Sequence, residues 1–381
     1  MYKRKILIIT ERRADYSRFK PILNIMNQSK NLEYELIVTG SHLLKKHGYT
    51  INEIKKDNFK INYKIKNFSN KQKFNDGESM ILGIGKILIS ISKIIKKSNP
   101  DIILSGFDIG GNFALTIAGA HLNIPVVHIQ GGEVTGSIDE SLRHAMSKFS
   151  NYHLVANSDA KKRLIKMGEL KKNIYVVGCP SLDALFLARK INSKDILKKF
   201  NIDFKKDYAV IIQHPVTSED NNSGKQIIET IKAVKKINIP ALFVFPNNDS
   251  GHDKIIKKIK KSKFRWTESL SLSEYSALLS HAKILIGNSS SGIHEAASFK
   301  IPVVNIGTRQ NGRLKPRNVI NADYNCNDIY KKIKFCMFNK KFIKSLKSLK
   351  NPYGDGKSSS KIARILSKID LSKSTQKQNS Y

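Results

Sequence analysis

The sequence is poor in cysteine. Cys179, Cys326 and Cys336 are the only three in 381 residues, an odd number without C-x-x-C spacing, so neither a disulfide framework nor a cysteine zinc site is indicated. A reducing compartment fits that usage. The chain also lacks a long uninterrupted apolar run. Its greasiest stretch, Met80 to Ile95, carries Lys86 and Lys93 at amphipathic spacing and falls short of a membrane span. The apolar run after Lys5 is cut off by ERRADYS before it reaches the length of a signal-peptide core. A soluble, cytoplasmic chain with no membrane insertion is therefore expected. Acidic residues are scarce, 31 against 67 Lys and Arg, for a formal charge of +36. Such an excess ordinarily points to nucleic acid or an anionic membrane. Here the lysines are spread over nearly every amphipathic segment, alongside abundant Asn and Ile, with no helix-turn-helix, zinc-finger or RNP signature. Compositional bias explains the charge, and no nucleic-acid partner is expected.

What is present is 40% apolar residues, enough for two cores, and a steady alternation of short β-type runs with helical stretches. The first half reads KILIIT, FKPILNIM, YELIV, the helix from Met80 to Lys97, DIILS, a small-residue helix, PVVHIQ, ESLRHAMSKF, YHLVA and IYVVG. The second reads YAVIIQHP, KQIIETIKAVKKI, ALFVFPNND, DKIIKKIKK, KFRWTE, SEYSALLSHA and KILIG. This order predicts an α/β protein of two Rossmann-like, doubly wound parallel sheets facing a cleft. The expected divisions are 1–178, 179–355, a terminal helix over 356–370 and a disordered tail over 371–381. The polar stretch 66–78 predicts a mobile loop, and the lysine-rich stretch 191–206 the passage between halves.

Residues 283–313, KILIGNSSSGIHEAASFKIPVVNIGTRQNGR, read as strand, tight turn and helix start. The first free N–H groups and the hydroxyls of Ser289, Ser290 and Ser291 would converge on one point. Gly287 and Gly292 would let an oxyanion approach the backbone, and the guanidinium of Arg309, of Arg313 or of both would reach the same anion. An ordinary capped helix would give the same turn. The densest polar constellation is Gly131, Gly132, Glu133, Thr135, Asp139, Glu140, Arg143 and His144. Helical period puts the last three within about one turn of each other. A purely structural reading makes Arg143 and Glu140 an ion pair and His144 a core residue, but leaves the Gly-rich, acid-bearing loop GGEVTGSID without a scaffold role. Arg12 or Arg13, Asp108, His214, Asn247 and Asp249 stand at other strand ends, with Asp15 or Ser17 capping the first helix. Strand ends are where open α/β sheets bind ligands.

Together, RADYS at 13–17, GSHL, GGEVTGSIDESLRHAMSK, VGCPSLD, QHPVT, FPNND, GNSSSGIHE, NIGTRQNGR and YGDG at 353–356 resemble the UDP-N-acetylglucosamine 2-epimerase family, specifically its hydrolysing branch. The resemblance spans nearly the whole chain. It implies a glycosyltransferase-B-like architecture, with the last helix crossing back onto the first domain. It also implies a reaction in which a nucleotide-linked N-acetylglucosamine-type sugar and water give free N-acetylmannosamine-type sugar and UDP through a glycal. Carried over by position, Arg13 and Ser17 match nucleotide contacts, Asn247, Ser289, Ser290, Gly292 and Glu295 match uracil, ribose and phosphate contacts, and Arg309 matches a phosphate-side arginine. Asp108 and Asp139 match catalytic acids, and His214 an active-site histidine. No cofactor or metal is implied, and a homodimer or homotetramer is.

The chain departs from the family pattern twice. Ile109 stands where an arginine would help hold the anion. Gln130 falls where many members carry a catalytic glutamate, and an amide takes no proton at neutral pH. Either Glu133 does that work, or the sugar differs from UDP-N-acetylglucosamine, for instance a 2,4-diacetamido-trideoxy relative, or the catalytic cycle is altered, or activity is lost. A glycosyltransferase on the same fold and a non-catalytic nucleotide-sugar sensor are the competing classes.

Overall fold

The computed structural model describes residues 2–69, 77–135, 138–188, 198–203, 207–247, 249–371 and 376–377. The chain divides into two compact units, Met1–Ala184 with Gly356–Tyr381, and Leu185–Asp355. Most of the polar loop 66–78, of the linking stretch 191–206 and of the tail 371–381 lies outside the described residues. Among the described residues, no helix is long and apolar enough to cross a membrane.

The first unit is built on seven strands: β1 (Arg4–Thr10), β2 (Leu32–Thr39), β3 (Tyr63–Ile65), β4 (Ile102–Gly106), β5 (Val126–Ile129), β6 (Tyr152–Val155) and β7 (Ile174–Val176). They lie in the order β3-β2-β1-β4-β5-β6-β7, and every pairing is parallel. A parallel sheet covered on both faces calls for unbroken apolar strands, and β1 shows it, with Ile6 through Ile9 fully buried. Ile6 and Ile8 pack with Phe19 and Leu23 of the helix Arg13–Asn27 and with Ile362 and Leu366 of the helix Ser358–Lys368. Leu7 and Ile9 pack on the other face with Ile87 and Ile91 of the helix Gly77–Ser98 and with Leu115 of the helix Gly110–His121. Strand order reverses direction between β1 and β4, which opens a crevice at their carboxyl ends.

The helix Ser358–Lys368 brings the chain back into this first unit. Arg4 reaches its carboxyl end, donating to the carbonyls of Leu366 at 2.9 Å and Ile369 at 2.6 Å. Buried Asp183 accepts the backbone N–H groups of Ser358 and Ser359, at 3.0 and 2.6 Å, at its amino end. A carboxylate on free first-turn N–H groups offsets both their desolvation and the helix dipole. The aspartate of VGCPSLD is thus a cap.

The second unit repeats the plan with six strands: β8 (Ala209–Ile212), β9 (Ala241–Val244), β10 (Arg265–Thr267), β11 (Ile284–Gly287), β12 (Val303–Ile306) and β13 (Val319–Ala322). Their order is β10-β9-β8-β11-β12-β13, again all parallel, and the switch point lies between β8 and β11. Its core joins Ile211, Phe243, Ile286 and Val304 to Ile227, Ile255 and Ile333 of the flanking helices. The expected α/β class and both sheets are present. The edge strands β3 and β13, three and four residues long, carry too little pattern to read from sequence. Asp183→Ala should destabilise the protein by about 1–2 kcal/mol, the usual cost of a lost cap, read as a lower thermal midpoint; an unchanged midpoint would remove the cap from the stability of the first unit.

Candidate functional site

At the switch point of the first unit the chain leaves β4 through Phe107 and Asp108 and leaves β5 through Gln130. All three are non-glycine residues in the left-handed region, at φ 68°, 46° and 59°. Each such residue costs of the order of 1 kcal/mol and persists only where its surroundings over-determine it. Here they do. Arg143, on the helix Ile138–Phe149, forks onto Asp108. Its Nε donates to Oδ1 at 2.9 Å and its Nη2 makes a shorter contact with Oδ2. Its Nη1 donates to the carbonyl of Glu133 at 2.6 Å. The Arg143 side chain is 3% exposed and that of Asp108 19%, so the arginine is sealed in while the carboxylate keeps an open side. Phe107 packs against Phe19, with centroids 4.8 Å apart, and lies under the guanidinium of Arg18 at 5.1 Å. Arg18 in turn stands 3.4 Å from Oε1 of buried Gln130.

Two further acids furnish the same edge. Asp15 is the residue that caps the helix after β1, accepting from the N–H groups of Glu11 and Arg12, both at 2.8 Å, and from the Thr10 hydroxyl at 3.1 Å. Ser17 donates instead to the Ala14 carbonyl at 2.9 Å. Glu11 is buried and takes the N–H of Gly111 at 2.9 Å. Burial pushes its carboxyl above the usual range, and Gly40 leaves it room, since a Cβ there would lie 2.2 Å from Glu11 Cγ.

The remaining first-unit candidates divide. Glu133 is buried beside the fork, and its carbonyl belongs to it. Asp139 lies in the first turn of the helix that carries Arg143, with its side chain outside the described residues. Arg13 is largely exposed and pairs with Glu53 at 3.2 Å. Ile109, in the position of the family's arginine, is buried in the core with Phe107. Glu140 accepts the Thr135 N–H at 2.8 Å and stands 3.5 Å from His144. Cys179 is buried, and its thiol is pushed up to about 11 by burial, which removes it as a nucleophile at neutral pH.

In the second unit the organising residue is Asn288, which is fully buried. Its side chain accepts the His214 N–H at 2.7 Å and donates to the His214 carbonyl at 2.9 Å, closing a ring across the switch point. Its own carbonyl accepts from Arg309 at 3.2 Å and from Gln310 at 2.8 Å, and Gln310 accepts from Arg313 at 3.0 Å. One amide residue thus ties the end of β8, the turn after β11 and the turn after β12 together. Gly287 makes the crossing feasible: its φ is 129°, and a Cβ would stand 2.0 Å from the Ile212 carbonyl oxygen.

His214 Nδ1 lies 2.8 Å from Asn247 Oδ1, an acceptor, and 3.1 Å from the Asn247 N–H, a donor, so both contacts of the ring with Asn247 run through this one nitrogen. Burial, aided by the charge of Arg309 and opposed by the Asn247 hydrogen bond, pushes the imidazole down to about 4. His214 is therefore neutral at physiological pH.

The helix expected at the serines does begin there, but it runs only Ser290–His294 before a tighter turn over Ala296–Phe299. Ser289 caps it, accepting from the Ser291 hydroxyl at 3.0 Å. Gly292 serves packing, because a Cβ there would meet Val303 at 3.0 Å. Glu295 is half-buried, its charge beside the buried Tyr275, whose hydroxyl is pushed well up chiefly by burial. Tyr353 of YGDG backs the turn, 4.3 Å from the His294 ring, and donates to the Leu314 carbonyl at 2.9 Å.

Two parallel doubly wound sheets, each gathering cationic and hydrogen-bonding side chains at its own switch point, define a two-domain, glycosyltransferase-B-like α/β protein. Residues 24–367 match the model of the UDP-N-acetylglucosamine 2-epimerase family, and the chain belongs to that family. Over 99% of its length and 100% of the relative's it is 37% identical to the UDP-N,N'-diacetylbacillosamine 2-epimerase (hydrolyzing) of Legionella pneumophila. It is 34% identical, over 86% of both chains, to the UDP-N-acetylglucosamine 2-epimerase of Neisseria meningitidis serogroup B. The crystal structure of a Neisseria meningitidis UDP-GlcNAc 2-epimerase bound to UDP-GlcNAc shares the fold, with a TM-score of 0.82 and 19% identity over 96% of this chain and 100% of that one.

Arg18, Glu11, Asn288 and Gln310 were not among the sequence candidates. Asn288→Ala would strand the His214 N–H and carbonyl in a buried setting, so a loss of about 2–4 kcal/mol is expected, measured by chemical denaturation; a loss below about 1 kcal/mol would mean that the turn holds without its amide.

Proposed function

We propose that the chain is a hydrolysing 2-epimerase. It takes a UDP-linked 2-acetamido sugar and water and releases UDP and the free sugar inverted at C2. The observation that carries this reading is the Asp108–Arg143 fork on a strained strand end, in a chain 37% identical over its full length to a hydrolysing 2-epimerase. That relative's name favours a 2,4-diacetamido-trideoxy sugar over plain N-acetylglucosamine. The free product would then serve synthesis of a legionaminic- or sialic-type acid.

The chemistry is an elimination followed by an addition. The C2 proton leaves to a base as the C1–O bond breaks toward UDP, giving a glycal. Water then adds its oxygen to C1 while a proton reaches C2 on the opposite face. A C2 hydrogen with no adjacent carbonyl is a poor acid, so the leaving diphosphate must be stabilised as the base acts. Asp108 and Asp139 are assigned the proton transfers. Arg143 keeps Asp108 aimed, leaving its open side for the substrate. Gln130 takes no proton, but as a neutral partner it also leaves the positive charge of Arg18 uncompensated, where a glutamate would cancel it. Buried Glu133 is the third candidate for proton transfer.

The second unit is assigned the nucleotide. Arg309 and Arg313 face its phosphates, the neutral imidazole of His214 assists at the diphosphate, and Ser289, Ser290 and Asn247 add donors. Glu295 accepts from the ribose hydroxyls. Arg13 and Ser17, on the first unit, are assigned nucleotide contacts by their match to the family pattern alone.

Incubation with UDP-N-acetylglucosamine and with its 2,4-diacetamido-trideoxy relative in deuterated water tests the reading. Free C2-inverted sugar carrying deuterium at C2 is expected from at least one. UDP binding without turnover of either would overturn it, as would consumption only in the presence of a sugar acceptor. Asp108→Asn should lower kcat at least about a hundredfold while UDP affinity stays within about twofold; equal losses in both would mean that Asp108 serves binding or folding.

A further inference from the structure

Beneath the helix Ile138–Phe149, the first sheet carries buried polar side chains that the reaction does not use. His128 on β5 and His153 on β6 are register partners in neighbouring parallel strands, so both leave the same face, with ring centroids 6.5 Å apart. His128 and Ser147 are fully buried, and His153 and Glu169 nearly so. The helix meets this row through Ser147, whose hydroxyl lies 3.1 Å from His128 Nδ1 and 3.0 Å from the Arg143 carbonyl.

Counting protons fixes every direction. The Arg143 carbonyl can only accept, so the single hydroxyl proton of Ser147 goes there, and Ser147 must accept from His128. His128 therefore carries its proton on Nδ1 and a lone pair on Nε2. His153 Nε2 stands 2.9 Å from the Glu169 carboxylate. Burial pushes Glu169 up, but the His153 hydrogen bond and the Lys377 ammonium outweigh it and hold the carboxyl below its usual range. His153 accordingly donates through Nε2. Lys377 closes the outer end, donating to the carbonyls of Ser147, Lys148 and Ser150 at 2.6, 3.0 and 2.8 Å and facing Glu169.

Apolar side chains here would seat the helix without the desolvation cost of these groups. A directed hydrogen bond does something they would not, which is to fix rotation. With side chains reaching about 5–6 Å from a helix axis, a turn of roughly 20° moves a tip by about 2 Å, enough to break a fork made at 2.9 Å. The local backbone is fitted to the bond: a Cβ on Gly131 would stand 2.8 Å from His128 Nδ1 and 3.0 Å from Ser147 Oγ.

We propose that His128 and Ser147, backed by His153 and Glu169, are positioning residues that set the rotation of the helix Ile138–Phe149 and so aim Arg143 at Asp108. Their importance for turnover rests on the reading of that fork as part of the reacting site. The experiment is nitrogen-15 NMR of the full chain labelled in arginine and histidine, without ligand. His128 should be in its Nδ1–H form, and the Arg143 Nε–H should exchange slowly. In Ser147→Ala its exchange should speed up at least about tenfold, and likewise in His128→Leu. His128→Asn, whose amide nitrogen takes the place of Nδ1, should restore most of the protection. In turnover, Ser147→Ala should lower kcat with UDP affinity unchanged. Undiminished protection of the Arg143 Nε–H in Ser147→Ala, or an Nε2–H tautomer at His128, overturns the proposal. Ser147→Ala removes one hydroxyl only and keeps the test decisive should His128→Leu fail to fold. The exchange measurement needs no turnover, so a wild-type protein inactive on both sugars strikes the functional reading and leaves this result interpretable.

Discussion

The first unit depends on one ion pair. A strand that ends in two successive non-glycine residues with positive φ would relax to an extended exit if nothing opposed it, and Asp108 would then swing away from the crevice. The two-point grip of Arg143 opposes it, because a planar guanidinium satisfies both carboxylate oxygens in only one orientation. A lysine would hold the charge but not the angle. The same grip draws in the Glu133 carbonyl, so the loop after β5 and the turn after β4 are set by a single side chain. Burying that arginine almost fully is tolerable because its partner is an anion and its Nη1 also finds the Glu133 carbonyl.

The second unit solves an equivalent problem with a neutral group. Three loops meet at its switch point, and Asn288 offers an amide donor, an amide acceptor and a carbonyl to them. Neutrality matters here. A carboxylate in its place would draw Arg309 and raise the proton affinity of His214, turning a neutral imidazole into a cation and cancelling the charge of Arg309. As it stands, Arg309 keeps its charge, and that charge is one reason His214 stays unprotonated. Each unit thus reserves its exposed polarity for a ligand by tying its own loops down with buried groups.

The alternation of strands and helices was legible because parallel strands buried on both faces must be nearly continuous in Ile, Leu and Val, as β1, β8 and β11 are. The serine turn and Asp108 were legible because they follow such runs directly. The grip on Asp108 was not, since Arg143 lies 35 residues away and helical spacing proposes only its near neighbours, Glu140 among them. Nor was Asn288. A lone asparagine between two glycine-bearing turns looks like turn filler, and its value comes from total burial, which has no signature in one sequence. Arg18 escaped for a related reason, because its partners, Phe107 and Gln130, come from two other strand ends. Short edge strands such as β3 escaped because three residues cannot display a period.

Gln130 shows why a departure from a family pattern is not by itself a loss. A glutamate beside Arg18 would form an ion pair and leave little net field, and the arginine would be available to an anion only if that glutamate were protonated. The amide holds Arg18 by a long contact, 3.4 Å, and takes none of its charge. What is given up is a proton acceptor at that spot, and what is kept is a cation stacked on Phe107 at the end of β4. In the proposed reaction the balance shifts the demand for proton transfer onto Asp108, Asp139 and Glu133. It also makes the orientation of Asp108, and so everything that fixes the helix bearing Arg143, more consequential than it would be in a relative that retains the glutamate.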